Sequence, residues 1–249
     1  MRYSSKMALH KTRANDQAVD PGTIREQPLT FLLDFDGLIL DTESCALKSW
    51  SEEYAHYGKT LSLDQWRSDL GLESARESRY RRLAEAVGAG FDLAASQERR
   101  LARHLELIAE LDAQPGVRSF LRDVRTARHP IAVVSSSPHA WVDRHLARLG
   151  LLESFDAVCC GDEVRRTKPA PDVYELALNR LRTPRQRAVA FEDAERGVAA
   201  ATSASLPCVA VPNAVTAPHD FSAARLVAKT FDDPAVRQLI GRVGLPSEW

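Results

Sequence analysis

The chain is 249 residues long with 44% hydrophobic and 27% charged residues, a length that suggests one or two domains of about 150 residues and a composition that excludes wholesale disorder. Twelve glycines and 13 prolines exclude collagen-like and low-complexity sequence. A formal net charge of −1 gives no global attraction to nucleic acid or anionic membrane, so neither is expected as a partner.

Residues 1–28 are polar and lack the apolar stretch of a secretory signal, and they read as a disordered or flexible leader. Order begins at Leu29, where Leu29-Thr30-Phe31-Leu32-Leu33 is a short apolar run that stops at charges, the pattern of a buried strand. From about Leu47 to Leu111 no strand-like run occurs. Helical spacing appears instead at Leu47, Trp50, Tyr54 and Tyr57 and again at Leu101, Leu105 and Ile108, broken by Gly71, Gly88 and Gly90. This arginine-rich stretch is expected to be a helical insertion of three or four helices, residues 47–111, between core segments 29–46 and 112–249. Gln114-Pro115-Gly116 marks the return to the core.

Four more buried-strand runs follow at 131–134, 155–159, 188–191 and 208–211. Between them lie helical stripes: Val117, Phe120, Leu121 and Val124; Trp141, Leu146 and Leu149; Val173, Leu176, Ala177 and Leu181; and the alanine-rich 198–204. Strands alternating with amphipathic helices predict an α/β domain with a parallel sheet. The tail after Phe221 is expected to cover the sheet edge. No run approaches the roughly 18 apolar residues that span a bilayer. Cys45, Cys159, Cys160 and Cys208 form no C-x-x-C and are read as reduced, buried thiols of a cytoplasmic protein.

Chemistry concentrates just past the strands. Asp34 and Asp36 follow the first at i and i+2, where the C-terminal edge of a parallel sheet binds ligands, and two anions this close call for a cation or a proton between them. Gly37 permits the sharp turn beside them. Ser135, Ser136 and Ser137 end the second run with hydroxyls and turn amides suited to a phosphate oxygen. Lys168 sits in the proline-rich turn Thr167-Lys168-Pro169-Ala170-Pro171, where it can be aimed, and Glu192-Asp193 end the fourth run ahead of Gly197.

In this order the segments DFDGLILDTE (34–43), VVSSS (133–137), GDEVRRTKPAPDVY (161–174) and FEDAERGVAAA (191–201), with CVAVPN (208–213) in a fitting place, resemble the haloacid-dehalogenase-like hydrolase superfamily. The likeness, over residues 29–215, is to its phosphatase and phosphomutase branch. The resemblance implies a Rossmann-like parallel sheet core with an inserted all-helical cap, residues 47–111, closing over the site. It implies Asp34 as nucleophile forming a phosphoaspartyl intermediate and Asp36 as general acid and base. Mg²⁺ would be held by Asp34, the Asp36 backbone carbonyl and Asp193, with Glu192 holding metal-bound water. Ser135 would donate to the transferring phosphoryl group and Lys168 would neutralise it. Gly37 and Ser136 complete the phosphate-binding set, and Arg67 and Arg76 of the cap, with Arg79 near them, are the candidates to read the rest of the substrate.

The expected function is a Mg²⁺-dependent phosphatase of a small phosphomonoester, a sugar phosphate or similar metabolite, acting as a monomer or dimer. A β-phosphoglucomutase-like mutase and a non-catalytic relative that binds a phosphorylated ligand are the alternatives. Relatives of the mutase type carry a cap-side histidine where this chain has Ala46, and an intact Asp36 argues against dehalogenases, phosphonate hydrolases and pure binders. Ala194 and Thr167 depart from the serine and glycine common in the family but remove no catalytic group. Ser135, His139 and Asp143 make a poor hydrolase triad, because no G-x-S-x-G elbow exists and the last two fall on successive turns of one helix. Gly88-Ala89-Gly90 follows no strand, and the seven histidines show no ligand spacing, so zinc is not expected.

Overall fold

A computed structural model describes residues 28–69, 74–242, 244–246 and 249; the expectation for the leader falls, apart from residue 28, outside them. Six parallel strands, β1 (Thr30–Leu33), β2 (Ile131–Val134), β3 (Ala157–Cys159), β4 (Ala188–Glu192), β5 (Cys208–Ala210) and β6 (Leu226–Val227), form one sheet in the order β3-β2-β1-β4-β5-β6. β1 lies between β2 and β4, which are reached by connections running to opposite sides, so the sheet has its switch point at the end of β1.

The strands read as unbroken apolar runs because both faces are covered. Alternation divides them. Phe31, Leu33, Ile131, Val133, Val189 and Phe191 face one cluster, which also takes Val117, Phe120, Leu121 and Val124 of α5 (Val117–Thr126), Val142 and Leu146 of α6 (His139–Arg148), and Val236 and Leu239 of α9 (Pro234–Ile240). Leu32, Ala132, Val134, Ala188 and Ala190 face the other, with α7 (Asp172–Leu181) and α8 (Glu195–Ser203). The first face is aromatic: Phe120 meets Phe231, Phe31 and Phe191 with ring centroids 5.0, 5.4 and 5.4 Å apart. The second is built from alanines, so its helices pack close to the strands.

Four helices, α1 (Thr42–His56), α2 (Leu63–Ser68), α3 (Ala75–Val87) and α4 (Leu93–Ala109), lie between β1 and α5. The expected boundary at residue 47 falls inside α1, which starts at Thr42 because Asp41 caps it, accepting the Ser44 N–H at 3.0 Å. The helices have their own small core of Trp50, Tyr54, Leu61, Trp66, Tyr80 and Leu83, joined by Val215 from the loop after β5. Cys45, Leu107 and Ile108 at their base enter the aromatic face of the sheet. No helix among the described residues is long and apolar enough to cross a membrane.

Some expectations shift. Residues 155 and 156 precede β3 rather than belong to it, because a 3-10 turn ends at Ser154 and the Asp156 carboxylate accepts the Ile131 N–H at 2.9 Å. On α7 the buried face is Val173, Tyr174, Ala177 and Leu178, so the stripe is rotated from the expected Leu176 and Leu181 toward Tyr174. β6 was too short to show in the sequence. It pairs with β5 at the edge, and the chain then returns to place Phe231 and α9 on the aromatic face.

Phe120 is fully buried among three rings. Phe120→Ala is expected to lower the free energy of unfolding by about 3–5 kcal/mol in urea titrations; a loss below about 1 kcal/mol would show that the aromatic face is not close-packed.

Candidate active site

Strand register builds the site. Leu33 pairs with Phe191 across β1 and β4 and with Val133 across β1 and β2. The next residues along, Asp34, Glu192 and Val134, therefore come together at one end of the sheet, and Asp34 N–H donates to Phe191 O at 3.0 Å. Lys168 arrives from the turn before α7. Its Nζ lies 2.7 Å from Asp34 Oδ1, 2.7 Å from Glu192 Oε1 and 2.7 Å from the carbonyl of Val134. The Lys168 carbonyl accepts from the Arg196 guanidinium. Tyr174 Oη donates to Glu192 Oε1.

Carboxylate oxygens of Asp34, Glu192 and Asp193 lie within 4.8 Å of one another, all three residues buried. Burial pushes the Asp34 carboxyl up, opposed by Lys168. Burial likewise raises Glu192 to about 8 against the pull of Lys168. Asp193 is raised well above the ordinary range by burial and by the negative charges of Asp34, Glu43 and Glu192. The Lys168 ammonium loses hydration on burial, but Asp34 and Glu192 outweigh that and hold its pKa above the ordinary value. One ammonium against three carboxylates leaves the cluster short of positive charge.

Asp36 sits at the rim of the same cavity. Its carboxylate accepts from Ser137 Oγ at 2.6 Å and from Trp141 Nε1 at 2.9 Å, which fix its direction. Ser135 is buried, its Oγ accepting the Ser137 N–H at 3.0 Å, and Ser136 lines the cavity beside it. Gly37 has φ +79°, and a Cβ there would lie 2.1 Å from Asp193 Oδ2, so only glycine lets the turn pass. Its carbonyl accepts from Asn213 Nδ2 at 3.2 Å, and the same amide holds Asp193 Oδ2 at 2.8 Å. A Cβ on Gly197 would lie 1.8 Å from Glu192 Oε2, which explains the glycine on the first turn of α8.

The cavity holds about 830 Å³ and is closed on one side by the helical insertion, through Thr42, Glu43, Ala46, Arg67 and His104. Arg67 is therefore at the site. Arg76 is not among the lining residues: its side chain is 69% exposed, 3.8 Å from Glu77. Arg79 is buried away from the cavity, ion-paired to Asp69 at 3.1 Å and stacked 3.8 Å from the Trp66 ring centroid. It joins helices and has no free face for a substrate.

Sequence patterning does not single out Glu43, His104, Thr216 or His219, all of which line the cavity, nor Tyr174 and Asn213, which hold the acidic cluster. Glu43 follows Asp41 and Thr42 in a helix start and reads as a first-turn acid. His104 lies 70 residues from Asp34, and its ring stacks on Trp141 at 6.2 Å with its Nδ1 buried and without a partner among the described residues.

The parallel α/β sheet thus gathers carboxylates and a lysine at its switch point, where such sheets bind ligands. The family profile of haloacid dehalogenase-like hydrolases matches residues 31–211, and the chain belongs to that family. It is 33% identical over 176 residues to a phosphorylated carbohydrates phosphatase of Thermotoga maritima, covering 70% of this chain and 81% of that one. It is 34% identical over 184 residues to fructose-1-phosphate phosphatase YqaB of Escherichia coli, covering 72% and 94%. Among solved structures, CbbY from Rhodobacter sphaeroides in complex with phosphate superposes with a TM-score of 0.65 at 28% identity, covering 83% of this chain and 96% of that one.

Burial and the charges of Asp36, Asp41 and Asp34, against Arg79, raise the Glu43 carboxyl from 4.5 to about 7. An acid with a raised folded-state pKa binds its extra proton in the folded protein, so its contribution to stability falls as pH climbs from about 4.5 to about 7. Glu43→Gln is expected to remove that part of the decline. Thermal unfolding across this range, without divalent ions, checks it; parallel wild-type and variant profiles would contradict it.

Proposed function

We propose that this protein hydrolyses a small phosphomonoester, a sugar phosphate or a metabolite of similar size, with Mg²⁺ and through a phosphoaspartyl intermediate on Asp34. The observation that carries the reading is Lys168 Nζ held 2.7 Å from Asp34 Oδ1, with Glu192 and Asp193 buried beside it on the floor of the cavity. Membership in the family and the phosphatases among its relatives support hydrolysis of phosphoric monoesters. A cavity of about 830 Å³ suits a metabolite rather than a polymer.

The donors fit a hard dication: two buried carboxylates, Asp34 and Asp193, with the Asp36 carbonyl, in a cluster with too little positive charge. Mg²⁺ held there would neutralise the phosphate and make its phosphorus more electrophilic. The chain's own residues do the rest. Lys168 opposes the upward pull of burial on the Asp34 carboxyl and screens the approach of one anion to another. Asp34 attacks phosphorus, and the bond to the ester oxygen breaks as Asp36 gives that oxygen a proton. Asp36, oriented by Ser137 and Trp141, then takes a proton from the water that attacks the phosphoaspartate, releasing phosphate and restoring Asp34. Ser135 and Ser136 donate to the phosphoryl oxygens. Glu192, tied to Lys168 and Tyr174, positions the lysine and is set to hold metal-bound water. The insertion acts as the cap, keeping bulk water from the phosphoaspartate, and Arg67 is its candidate substrate contact.

Hydrolysis is favoured over phosphoryl transfer between sugar positions because Ala46, where the mutases carry a histidine, lines the cavity with a methyl group. The four cysteines are free and buried, which supports a reducing, cytoplasmic setting.

Asp34→Asn is expected to reduce phosphate release from a sugar-phosphate panel by about 10³-fold or more with a cooperative unfolding transition retained. Near wild-type turnover would overturn the assignment. Chelation is expected to stop phosphate release and added Mg²⁺ to restore it; activity that survives chelation would remove the metal from the scheme. The same panel with a bisphosphate activator separates the classes, since isomerised sugar phosphate without free phosphate would mark a mutase.

A further inference from the structure

A second group of metal-type ligands lies behind the serine turn. His139 opens α6, and Cys160 and Asp162 follow β3. Ligand atoms of these three residues lie within 4.8 Å of one another. The order of the sheet explains the meeting: β2 and β3 are neighbours, so the turn after one abuts the turn after the other. Gly161 N–H donates to Ser137 O at 3.0 Å across this junction, and the His139 N–H reaches the Asp162 carboxylate at 3.2 Å.

The His139 ring faces a carboxylate at each nitrogen: Glu163 Oε1 at 2.8 Å from Nε2 and Asp143 Oδ2 at 3.0 Å from Nδ1. Glu163 is itself anchored by Arg180. Nε2 thus has an acceptor in Glu163 Oε1, and the 3.0 Å contact between Nδ1 and Asp143 Oδ2 is one that either a proton or a metal ion on the ring nitrogen can bridge. A carboxylate that orients the ring from its far nitrogen is the arrangement that supports a metal-bound histidine. Cys160 is fully buried, its sulfur accepting the Glu163 N–H at the start of the turn that follows. Asp143 Oδ1 is buried without a partner among the described residues. An unspent carboxylate oxygen beside an imidazole and a buried sulfur gathers three donor types at one place.

We propose that His139, Cys160, Asp162 and Asp143 form a binding site for a transition-metal dication of the zinc class, separate from the acidic cluster under Asp34. Nitrogen, thiolate and carboxylate donors select zinc or cobalt over magnesium. Binding displaces the thiol proton of Cys160 to solvent and leaves thiolate on the metal. The ion would tie the turn after β2 to the turn after β3. Since Ser137 on the first of these and Trp141 on α6 hold Asp36, the site would stiffen one wall of the phosphoryl pocket. The sequence hid this group because 139 and 160 are far apart along the chain and no histidine or cysteine repeats at a ligand spacing.

Metal-free full-length protein, kept in Mg²⁺, is titrated with Co²⁺ and followed by absorbance. Asp193→Asn is run in parallel to discount ions at the acidic cluster. The expected result is one Co²⁺ per chain with a thiolate-to-cobalt charge-transfer band and tetrahedral d–d bands, displaced by Zn²⁺ and not by added Mg²⁺. Cys160→Ser loses the charge-transfer band, His139→Gln weakens binding at least tenfold, and Asp193→Asn keeps the spectrum. Zn²⁺ at a hundredfold excess over its dissociation constant is expected to raise the unfolding midpoint by about 5–10 °C. No thiolate band in the folded wild type, or a band unchanged in both Cys160→Ser and His139→Gln, overturns the proposal. Because the readout needs no turnover, it stands or falls apart from the phosphatase reading.

Discussion

The structure depends on keeping three carboxylates out of water around a single ammonium. Asp34, Glu192 and Asp193 are each buried, and Lys168 reaches two of them at 2.7 Å. At an effective dielectric of about 20, like charges 4–5 Å apart repel by roughly 3–4 kcal/mol per pair. Lys168 offsets that repulsion for the two residues it touches and leaves Asp193 exposed to the field of the rest. Burial first, and then the neighbouring carboxylates, raise the pKa values of Glu192 and Asp193. A site with such a deficit is poised to take up positive charge.

The fold holds this unfavourable cluster by sealing both sides of it. One sheet face is stacked with phenylalanine and the other is closed by alanine, so β1 and β4 cannot slide without breaking close packing on both faces. Their register then fixes where Asp34 and Glu192 end up. Gly37 and Gly197 serve the same end from the loops, since each leaves the space that an acidic side chain occupies.

Around its small apolar core, arginines join the helices of the insertion. Arg79 and Arg82 pair with Asp69, Arg99 with Glu53, Arg103 with Glu52, and Arg100 with the Tyr80 hydroxyl. Its wall over the cavity is mixed in character, with Arg67, Glu43 and His104 around the methyl of Ala46.

Much of this was legible in the sequence. Buried strands announced themselves because a parallel sheet covered on both faces leaves continuous apolar runs, and the residues that end those runs, Asp34, Ser135 and Glu192, had to lie along one edge. Lys168 stood out because prolines fix its turn. What the sequence could not show was pairing across distance. Arg76 and Arg79 looked equivalent to Arg67, but one stays in solvent and the other is taken by Asp69 and Trp66, outcomes set by how the helices pack. Tyr174 under Glu192, Asn213 under Asp193, Trp141 on Asp36 and the meeting of His139 with Cys160 likewise arise from strand order. Local sequence therefore determined the strands and the kind of chemistry at their ends, because periodicity and turn residues act over a few positions. The tertiary structure alone decided which charges are neutralised and which remain to act, because that depends on neighbours brought together from distant parts of the chain.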